Sequence, residues 1–410
     1  MQKNDLIITI TLMATIVIDV MGIGLVFPVM PSLFSHDLSS IVPIDLSDSW
    51  RHFYYGLAMA AWPLGLLFGG PYLGDLSDKL GRKRVILICL SGVMATNFLA
   101  AITIHYKTLA LFMVVRLCSG FFSGCFAIAQ AMMIDISTNE NKARYISMVT
   151  LAGSSGFLIG PLITSISTLP AFTALLDYTA PFYLAGLVSL INCFFAYRFL
   201  PDLPMIHKKE HVSLLKGLWV IYEVLTDKRI QKLMAAYILV FLGWGFYCMN
   251  LALLVQDVFD YSTSLTALLF ALTAVSNILG ITVFQPIILR LFSLKQCCII
   301  MSTALAILLL ISANMHWVGM QWIIAIIAPG IQMIFYTAIM TLLSNAVGPE
   351  EQGKAMGGAD AGFSFSFMLN SLAIGLLIDI HILLPLIVGA LCIFLGALVF
   401  KIDADDVSKH

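Results

Sequence analysis

Long apolar runs separated by short polar stretches repeat along the whole chain. Each run is close to the roughly 20 residues that a helix needs to cross the hydrocarbon core of a bilayer. The runs lie near residues 6–34, 54–73, 85–104, 108–134, 145–168, 180–200, 231–256, 264–289, 297–313, 317–346, 354–378 and 380–401. The pattern therefore predicts an all-α membrane protein with twelve transmembrane helices.

The longest polar interruption, residues 201–230, divides the runs six and six. It predicts a six-helix bundle over residues 1–200, a linker over 201–230 and a second six-helix bundle over 231–410. Within the linker, apolar positions from Val212 to Leu225 recur at helical spacing, which indicates an amphipathic helix on the membrane surface. This helix either covers the bundle or serves as a regulatory docking site.

The two halves also resemble one another. After the fourth and the tenth run, an acidic turn with one or two basic residues leads into a helix rich in Gly, Ala and Ser. A repeated half is the usual plan of secondary transporters. We therefore expect two pseudo-symmetric bundles.

Composition and charge agree with this organisation. The 410 residues are 60% hydrophobic and 11% charged, and the mean hydropathy is +0.97. With both termini on one side of the membrane, nineteen of the 22 Lys and Arg residues fall on that side, and only Arg51 and Lys107 on the other. Basic residues mark cytoplasmic loops, so we predict a multi-pass protein of a bacterial inner membrane with both termini in the cytoplasm.

Several classes of chemistry have no signal in the sequence. The eight cysteines form neither a disulfide framework nor a metal-ligand spacing, and we find no phosphate-binding glycine loop and no Ser/His/Asp arrangement. We expect no enzymatic activity, no metal, no cofactor and no nucleic-acid partner. The expected partners are a small-molecule substrate, protons and the lipid bilayer, and the expected state is a monomer.

The stretch "GDLSDKLGRKR", residues 74–84, holds six charged residues between the second and third runs. It resembles the loop signature of the major facilitator superfamily, with Gly74, Asp78, Gly81 and Arg82 in place. The glycines are expected to allow a tight loop. The resemblance implies that Asp78 meets the start of the eleventh helix in one state and releases it in another, so that the loop acts as a gate. The alternative is that these charges only set the topology.

Two further stretches resemble the drug/proton antiporters of that superfamily, in particular the tetracycline-efflux-like ones. They are "DVMGIGLVFPVMP", residues 19–31, and "RLCSGFFSG", residues 116–124. The resemblance covers the whole chain and implies a transporter that works by alternating access.

The fifth run departs from the antiporter signature. The stretch "GFLIGPLITS" keeps Gly156, Gly160 and Pro161, which are expected to kink the helix. It has Thr164 and Ser165 where the signature ends in two glycines. This departure weakens the case for export.

Charges inside the apolar runs are the next signal, because an ionised group in the bilayer is costly and normally has a function. Asp19 lies 13 residues after Leu6, about 20 Å along a helix and near the middle of the bilayer. Arg116 shares a helix face with Gly120 and Gly124. We predict proton coupling through Asp19 with Arg116 close by, or else a structural ion pair of the two. Asp360 is a second candidate for the proton pathway, or a hydrated carboxylate at a helix end.

Neutral polar residues in the second half suggest where a substrate binds. Tyr247 and Asn250 in the seventh run, and Gln332 and Tyr336 in the tenth, form one-sided polar stripes. The architecture of the superfamily places runs one, four, seven and ten around the cavity. Interhelical hydrogen bonds are the alternative for each residue.

Three functions follow from these signals. The first is proton-coupled export of a small drug or metabolite. The second is proton-coupled import of a nutrient, siderophore or osmolyte. The third is a sensor or structural membrane protein that transports nothing.

Overall fold

The computed structural model describes residues 3–36, 39–137, 142–169, 171, 176–202, 215–314, 317–348 and 351–407. In this part of the chain, twelve helical spans are long and apolar enough to cross a membrane, which confirms the predicted fold class. We number the spans α1 to α12. Their bounds are α1 Lys3–Leu33, α2 Asp48–Leu80, α3 Arg82–His105, α4 in two parts (Leu109–Phe122 and Cys125–Asp135), α5 Lys142–Ser167, α6 Ala180–Phe199, α7 Gln231–Asp257, α8 Thr263–Leu279, continued by Gln285–Leu291, α9 Leu294–Asn314, α10 Val318–Asn345, α11 Gln352–Ile380 and α12 Leu384–Val407.

The spans form two compact units. Unit 1 comprises Met1–Leu46, Ala61–Lys216 and Thr263–Ala271, and unit 2 comprises Ser47–Ala60, Gly217–Ser262 and Leu272–His410. In unit 1, α1 packs on α5, and α3 packs on α6 and α4. In unit 2, α7 packs on α11, and α9 packs on α12 and α10. The same pairings occur in the same order, so the two bundles are pseudo-symmetric as expected.

Glycines bring two pairs of backbones together in unit 1. A Cβ added to Gly120 of α4 would lie 1.9 Å from the carbonyl oxygen of Trp62 in α2, and one on Gly69 of α2 would lie 2.0 Å from that of Phe121. A Cβ added to Gly160 of α5 would lie 2.4 Å from the carbonyl oxygen of Met21 in α1. Such close approach allows helices to pack in a bilayer, where the hydrophobic effect does not drive them together.

The linker contains one short helix in the described residues, Lys216–Thr226. The predicted helix begins at Val212, but residues 203–214 lie outside the described part of the chain. Val224 of the linker helix packs directly on Gly358 of α11, so closely that a Cβ added to this glycine would lie 2.5 Å from the Val224 Cγ1. Glu223 of the same helix forms an ion pair with Lys354 of α11 at 2.8 Å. The helix therefore covers the start of α11 within unit 2.

An ion-pair cluster stands beside this helix, outside the spans. The Arg229 guanidinium donates hydrogen bonds to the carboxylates of Asp227 and Glu351. The shortest nitrogen–oxygen distance is 2.7 Å in each case. These bonds lower the pKa of Asp227 to about 2 and hold the pKa of Glu351 below its ordinary value. The favourable interaction is therefore complete above the ordinary carboxyl pKa and is lost as the pH falls toward 2. Because the three side chains are partly exposed to water, it contributes little to stability.

Candidate functional site

Asp19 lies on α1 in unit 1, opposite a break in α4. Its Oδ2 accepts a hydrogen bond from the backbone N–H of Phe126 at 3.0 Å, in the second part of α4. Its Oδ1 is buried and has no hydrogen-bond partner among the described residues. One carboxyl oxygen is thus held by the backbone, and the other is free to carry a proton.

Arg116 lies on the first part of α4 and is buried, with 7% of its surface exposed. Its Nε has no hydrogen-bond partner, and no ion pair joins Arg116 to Asp19 in the described part of the chain. The described residues thus show no structural ion pair of these two side chains, and the role of Arg116 in proton coupling stays a prediction. The two side chains are separated in depth: Asp19 meets α4 at Phe126, ten residues beyond Arg116, which is about 15 Å along a helix.

The glycine face of α4 lies where the sequence places it. Gly120 and Gly124 face α2, and a Cβ added to Gly124 would lie 3.0 Å from the Cα of Gly70. On α5, Gly156 and Gly160 face α1. The ring of Pro161 packs on Gly24 of α1, so closely that a Cβ added to Gly24 would lie 2.7 Å from the Pro161 Cδ. Pro161 has no N–H to donate within α5, which removes one helical hydrogen bond at this contact.

The two residues that depart from the antiporter signature both form hydrogen bonds. Thr164 donates to the carbonyl oxygen of Leu25 in α1 at 3.0 Å. Ser264, at the start of α8, donates to the carbonyl oxygen of Ser165 at 2.7 Å. Hydroxyl groups thus make the contacts of α5 at this end, all within unit 1.

The charged loop is a single turn residue between two helices. Gly81 has a φ of 93° and a ψ of 141°, a conformation that residues with a Cβ rarely adopt. Gly74, in contrast, lies inside α2, and apart from the adjoining residues of α2 itself no described atom lies within 4 Å of where its Cβ would be. The expectation that Gly74 shapes the loop is wrong, because α2 continues through it to Leu80.

Ion pairs hold the loop together within unit 1. Arg82 pairs with Asp78, four residues earlier, at 3.4 Å, and forms a second pair with Asp135 at the end of α4. Sequence reasoning missed Asp135. Its position directly after an apolar run was the available signal. The role of Asp78 as a gate stays a prediction.

In unit 2, the predicted substrate residues are mostly buried. Tyr247 is 1% exposed and Asn250 0%. The Tyr247 hydroxyl and the Asn250 Oδ1 have no hydrogen-bond partner among the described residues, while the Asn250 amide donates to the carbonyl oxygen of Ile382 at 2.9 Å. Gln332 is also buried, and Tyr336 is half-buried. The Asn250 amide nitrogen therefore forms the kind of structural hydrogen bond that was the alternative to substrate binding, whereas its amide oxygen forms none in the described part of the chain.

Tyr336 belongs to an aromatic cluster that the sequence reasoning missed. Its ring lies 6.0 Å from that of Phe241 on α7, and further contacts extend the cluster. The members, on α7, α10 and α11, are Tyr237, Phe241, Tyr336, Phe363 and Phe367. Asp360 lies on α11, three residues before Phe363 of this cluster, and is exposed. The spacing of four residues within α7 and within α11 was a signal for these ring pairs.

Metal chemistry has no site in the described residues. They contain no group of three or more His, Cys, Asp or Glu side chains that could hold a metal ion. The eight cysteines are free thiols.

Comparison with known proteins identifies the family. The sequence profile of the Major Facilitator Superfamily matches residues 12–330 and 233–410. The chain belongs to the major facilitator superfamily. It is therefore a multi-pass membrane transporter.

Two relatives are drug-resistance proteins of this superfamily. The tetracycline resistance protein, class C, of Escherichia coli is 26% identical over 91% of this chain and 90% of the relative. The quinolone resistance protein NorA of Staphylococcus aureus is 27% identical over 95% of this chain and 94% of the relative. The resemblance to tetracycline-efflux-like members is thus confirmed.

Solved structures of the superfamily share the fold. The crystal structure of a D-xylose-proton symporter superposes with a TM-score of 0.73 and covers 96% of both chains, at 16% identity. At that identity the likeness shows the fold alone.

Proposed function

We propose that this member of the major facilitator superfamily exports a small amphipathic drug or metabolite in exchange for protons. It works by alternating access in a bacterial inner membrane, with both termini in the cytoplasm and no cofactor. The observation that carries the proposal is Asp19, a carboxyl group inside a span. One of its oxygens accepts from the Phe126 N–H, and the other is buried and has no partner in the part of the chain that the structure describes.

A carboxyl group in this environment is suited to carry a proton. The ionised form gains one backbone donor but leaves a charged oxygen away from water, and the neutral form avoids that cost. Neither form is strongly favoured by a counter-ion, since no ion pair to Asp19 occurs in the described residues. A modest change around Asp19 can therefore shift its protonation.

Export is supported by the relatives and by the chemistry of unit 2. Two relatives are named for resistance to tetracycline and to quinolones, which are ring-containing molecules with polar groups. The aromatic cluster around Tyr336, with Asp360, Tyr247, Asn250 and Gln332, offers ring faces together with a few polar groups. We assign substrate binding to this set.

Import is the second candidate, and Thr164 and Ser165 favour it. The antiporter signature has two glycines at these positions, whereas here both residues form hydrogen bonds within unit 1. The shared fold with a D-xylose-proton symporter is compatible with import.

The direction of transport is tested in cells that express the protein, with tetracycline and a fluorescent quinolone as probes. Export lowers the accumulation of a probe relative to cells with an empty vector, and import raises it. Raised accumulation of either probe would contradict the proposed direction.

Proton coupling is tested with Asp19→Asn in proteoliposomes that carry an imposed pH gradient. The amide resembles the neutral carboxyl group and cannot release a proton, so we expect loss of uphill transport while substrate binding and downhill exchange persist. Asp45→Asn, which removes an exposed carboxylate, is the matched control and should transport normally. Full uphill transport by Asp19→Asn would show that another group carries the proton.

A further inference from the structure

The backbone of α4 breaks at the level where Asp19 meets it. Ser123 has φ and ψ of −75° and 8°, and Gly124 has −74° and 8°. A continuous α-helix has a ψ near −42°. The break separates a first part of 14 residues, Leu109–Phe122, from a second part of 11 residues, Cys125–Asp135, within one membrane span.

The break gives Asp19 its hydrogen-bond donor. In an unbroken helix the N–H of Phe126 would bond to the carbonyl oxygen of Phe122. Here Phe126 is the second residue of a new helix, and its N–H donates to Asp19 Oδ2 at 3.0 Å. The first turn of a helix has free N–H groups and a positive dipole end, and both stabilise a negative charge.

Two contacts with α2 hold the break in place. The indole Nε1–H of Trp62 donates to Ser123 Oγ at 3.1 Å, and the same hydroxyl donates back to the carbonyl oxygen of Ser119 at 2.9 Å. Gly124 lies so close to α2 that a Cβ would be 3.0 Å from the Cα of Gly70. A serine hydroxyl that bonds to the preceding turn competes with regular helical hydrogen bonds.

We propose that Ser123 and Trp62 are positioning residues for Asp19. They keep α4 broken, so that the Phe126 N–H points at the carboxyl group and stabilises its ionised form. This inference rests on the proposed role of Asp19 as the proton carrier, and it names the part of the fold that sets when the proton leaves.

Among the described residues, the other titratable side chains packed around this junction are Tyr72 of α2, whose ring centroid lies 5.8 Å from that of Phe121, and three cysteines. Cys125 is the first residue of the second part of α4 and lies in one buried apolar cluster with Cys89 of α3, against which Cys193 of α6 packs. The stretch of α5 that faces α1, around Gly156 and Gly160, contains no titratable side chain. Arg116 lies on the other part of α4 and forms no ion pair with Asp19 in the described residues.

The test is an infrared titration of the purified, reconstituted protein. The carboxyl band that Asp19→Asn removes is assigned to Asp19, and the pH at which it half disappears is measured. Ser123→Ala removes the acceptor of the Trp62 N–H and favours a continuous helix. Because the ionised form then loses a donor, we expect the midpoint to rise by about one pH unit or more. The pH optimum of uphill transport should rise with it.

Ser119→Ala is the matched control, since it makes the same chemical change one turn earlier and outside the break. Its midpoint should equal that of the wild-type protein. An unchanged midpoint in Ser123→Ala, an equal rise in both variants, or a wild-type Asp19 band that never ionises would each overturn the proposal.

A second variant covers poor folding of Ser123→Ala. Trp62→Phe keeps an aromatic ring and removes the N–H donor, and it should raise the midpoint in the same direction. The absence of a rise would overturn the proposal as well. Because the infrared band reports on the carboxyl group itself, the positioning role is tested even if Asp19→Asn retains uphill transport and the proposed coupling fails.

Discussion

At the scale of single residues, the described part of the chain keeps several buried polar atoms without partners inside the spans. These atoms, which have no hydrogen-bond partner, lie on six of the spans and are Asp19 Oδ1, His52 Nδ1, Arg116 Nε, the Tyr247 hydroxyl, Asn250 Oδ1, Asn277 Oδ1, Gln285 Oε1 and Asn370 Nδ2. A buried polar group without a partner costs about 1–3 kcal/mol, and a charged one more. A bundle selected for stability alone would not retain them. Their presence fits a transporter whose protons or substrate supply the missing partners.

Arg116 gives the sharpest test at this scale. Because its buried guanidinium has no ion pair in the described residues, replacing it by an uncharged side chain of similar length removes a desolvation cost. We expect Arg116→Met to keep or raise the melting temperature in detergent by a few degrees, while proton-driven transport falls. Thermal unfolding and liposome flux, measured on the same preparation, provide the two readouts.

Arg198→Met serves as the surface control, since Arg198 is exposed and its loss should change neither quantity. A steep fall in the melting temperature of Arg116→Met alone would mean that Arg116 has a structural partner, because breaking a buried pair leaves its other member uncompensated.

At the scale of helices, close packing and local breaks decide which groups meet. α2 and α4 approach until their glycines touch the opposite backbone, at Gly69 and Gly120. The same contact fixes the depth of α4 against α2, the helix from which Trp62 bonds to Ser123 at the break. A pair that could slide would not keep the Trp62 N–H on the Ser123 hydroxyl. We therefore regard the glycine contact as a support of the break that faces Asp19.

Gly69→Ala tests this contact, with its neighbour as control. A Cβ at Gly69 would lie 2.0 Å from the Phe121 carbonyl oxygen, whereas one at Gly70 would have only a Leu66 methyl group at 3.8 Å. We expect Gly69→Ala to destabilise the protein by about 1–3 kcal/mol or more, because backbone must move, and Gly70→Ala to stay close to wild type. Melting temperatures in detergent decide the matter. Equal values for the two variants would contradict the packing of α2 on α4.

At the scale of the whole molecule, charge predicts orientation and the repeat predicts the fold. Nineteen of the 22 basic residues fall on the side of the termini when twelve spans are counted, and the structure has those twelve spans in its described residues. An error of one span in the first half would move every later loop to the other side. The charge distribution therefore supports both the count and the orientation.

Reporter fusions test the orientation. Green fluorescent protein fused after His410 should fluoresce, and alkaline phosphatase fused there should be inactive, because the C-terminus is expected in the cytoplasm. The same reporters fused after Lys107, in the connection between α3 and α4, should give the opposite result. Active phosphatase at His410 would reverse the predicted topology.

The sequence by itself determined the number of spans, the division into two similar halves, the charged loop and the candidate Asp19. Each of these depends on local information. A span is a sum over about 20 neighbouring residues, and a charge inside a span is conspicuous wherever its helix packs. The turn at Gly81 was also predictable, because glycine between two helices indicates a backbone that other residues avoid.

Only the tertiary structure decided which groups meet. Asp19 of α1 accepts a hydrogen bond from Phe126, which is 107 residues away. It forms none with Arg116 in the described residues, although Arg116 and Phe126 belong to the same span, α4. The aromatic cluster of unit 2 likewise joins three separate helices. Such contacts depend on the relative depth of packed helices and on a break of two residues in α4, and both follow from glycine contacts and hydroxyl bonds across helices. The periodicity of one helix contains no information about how deep its neighbour lies in the membrane. The partner of Asp19 was therefore fixed only when α1 and α4 packed.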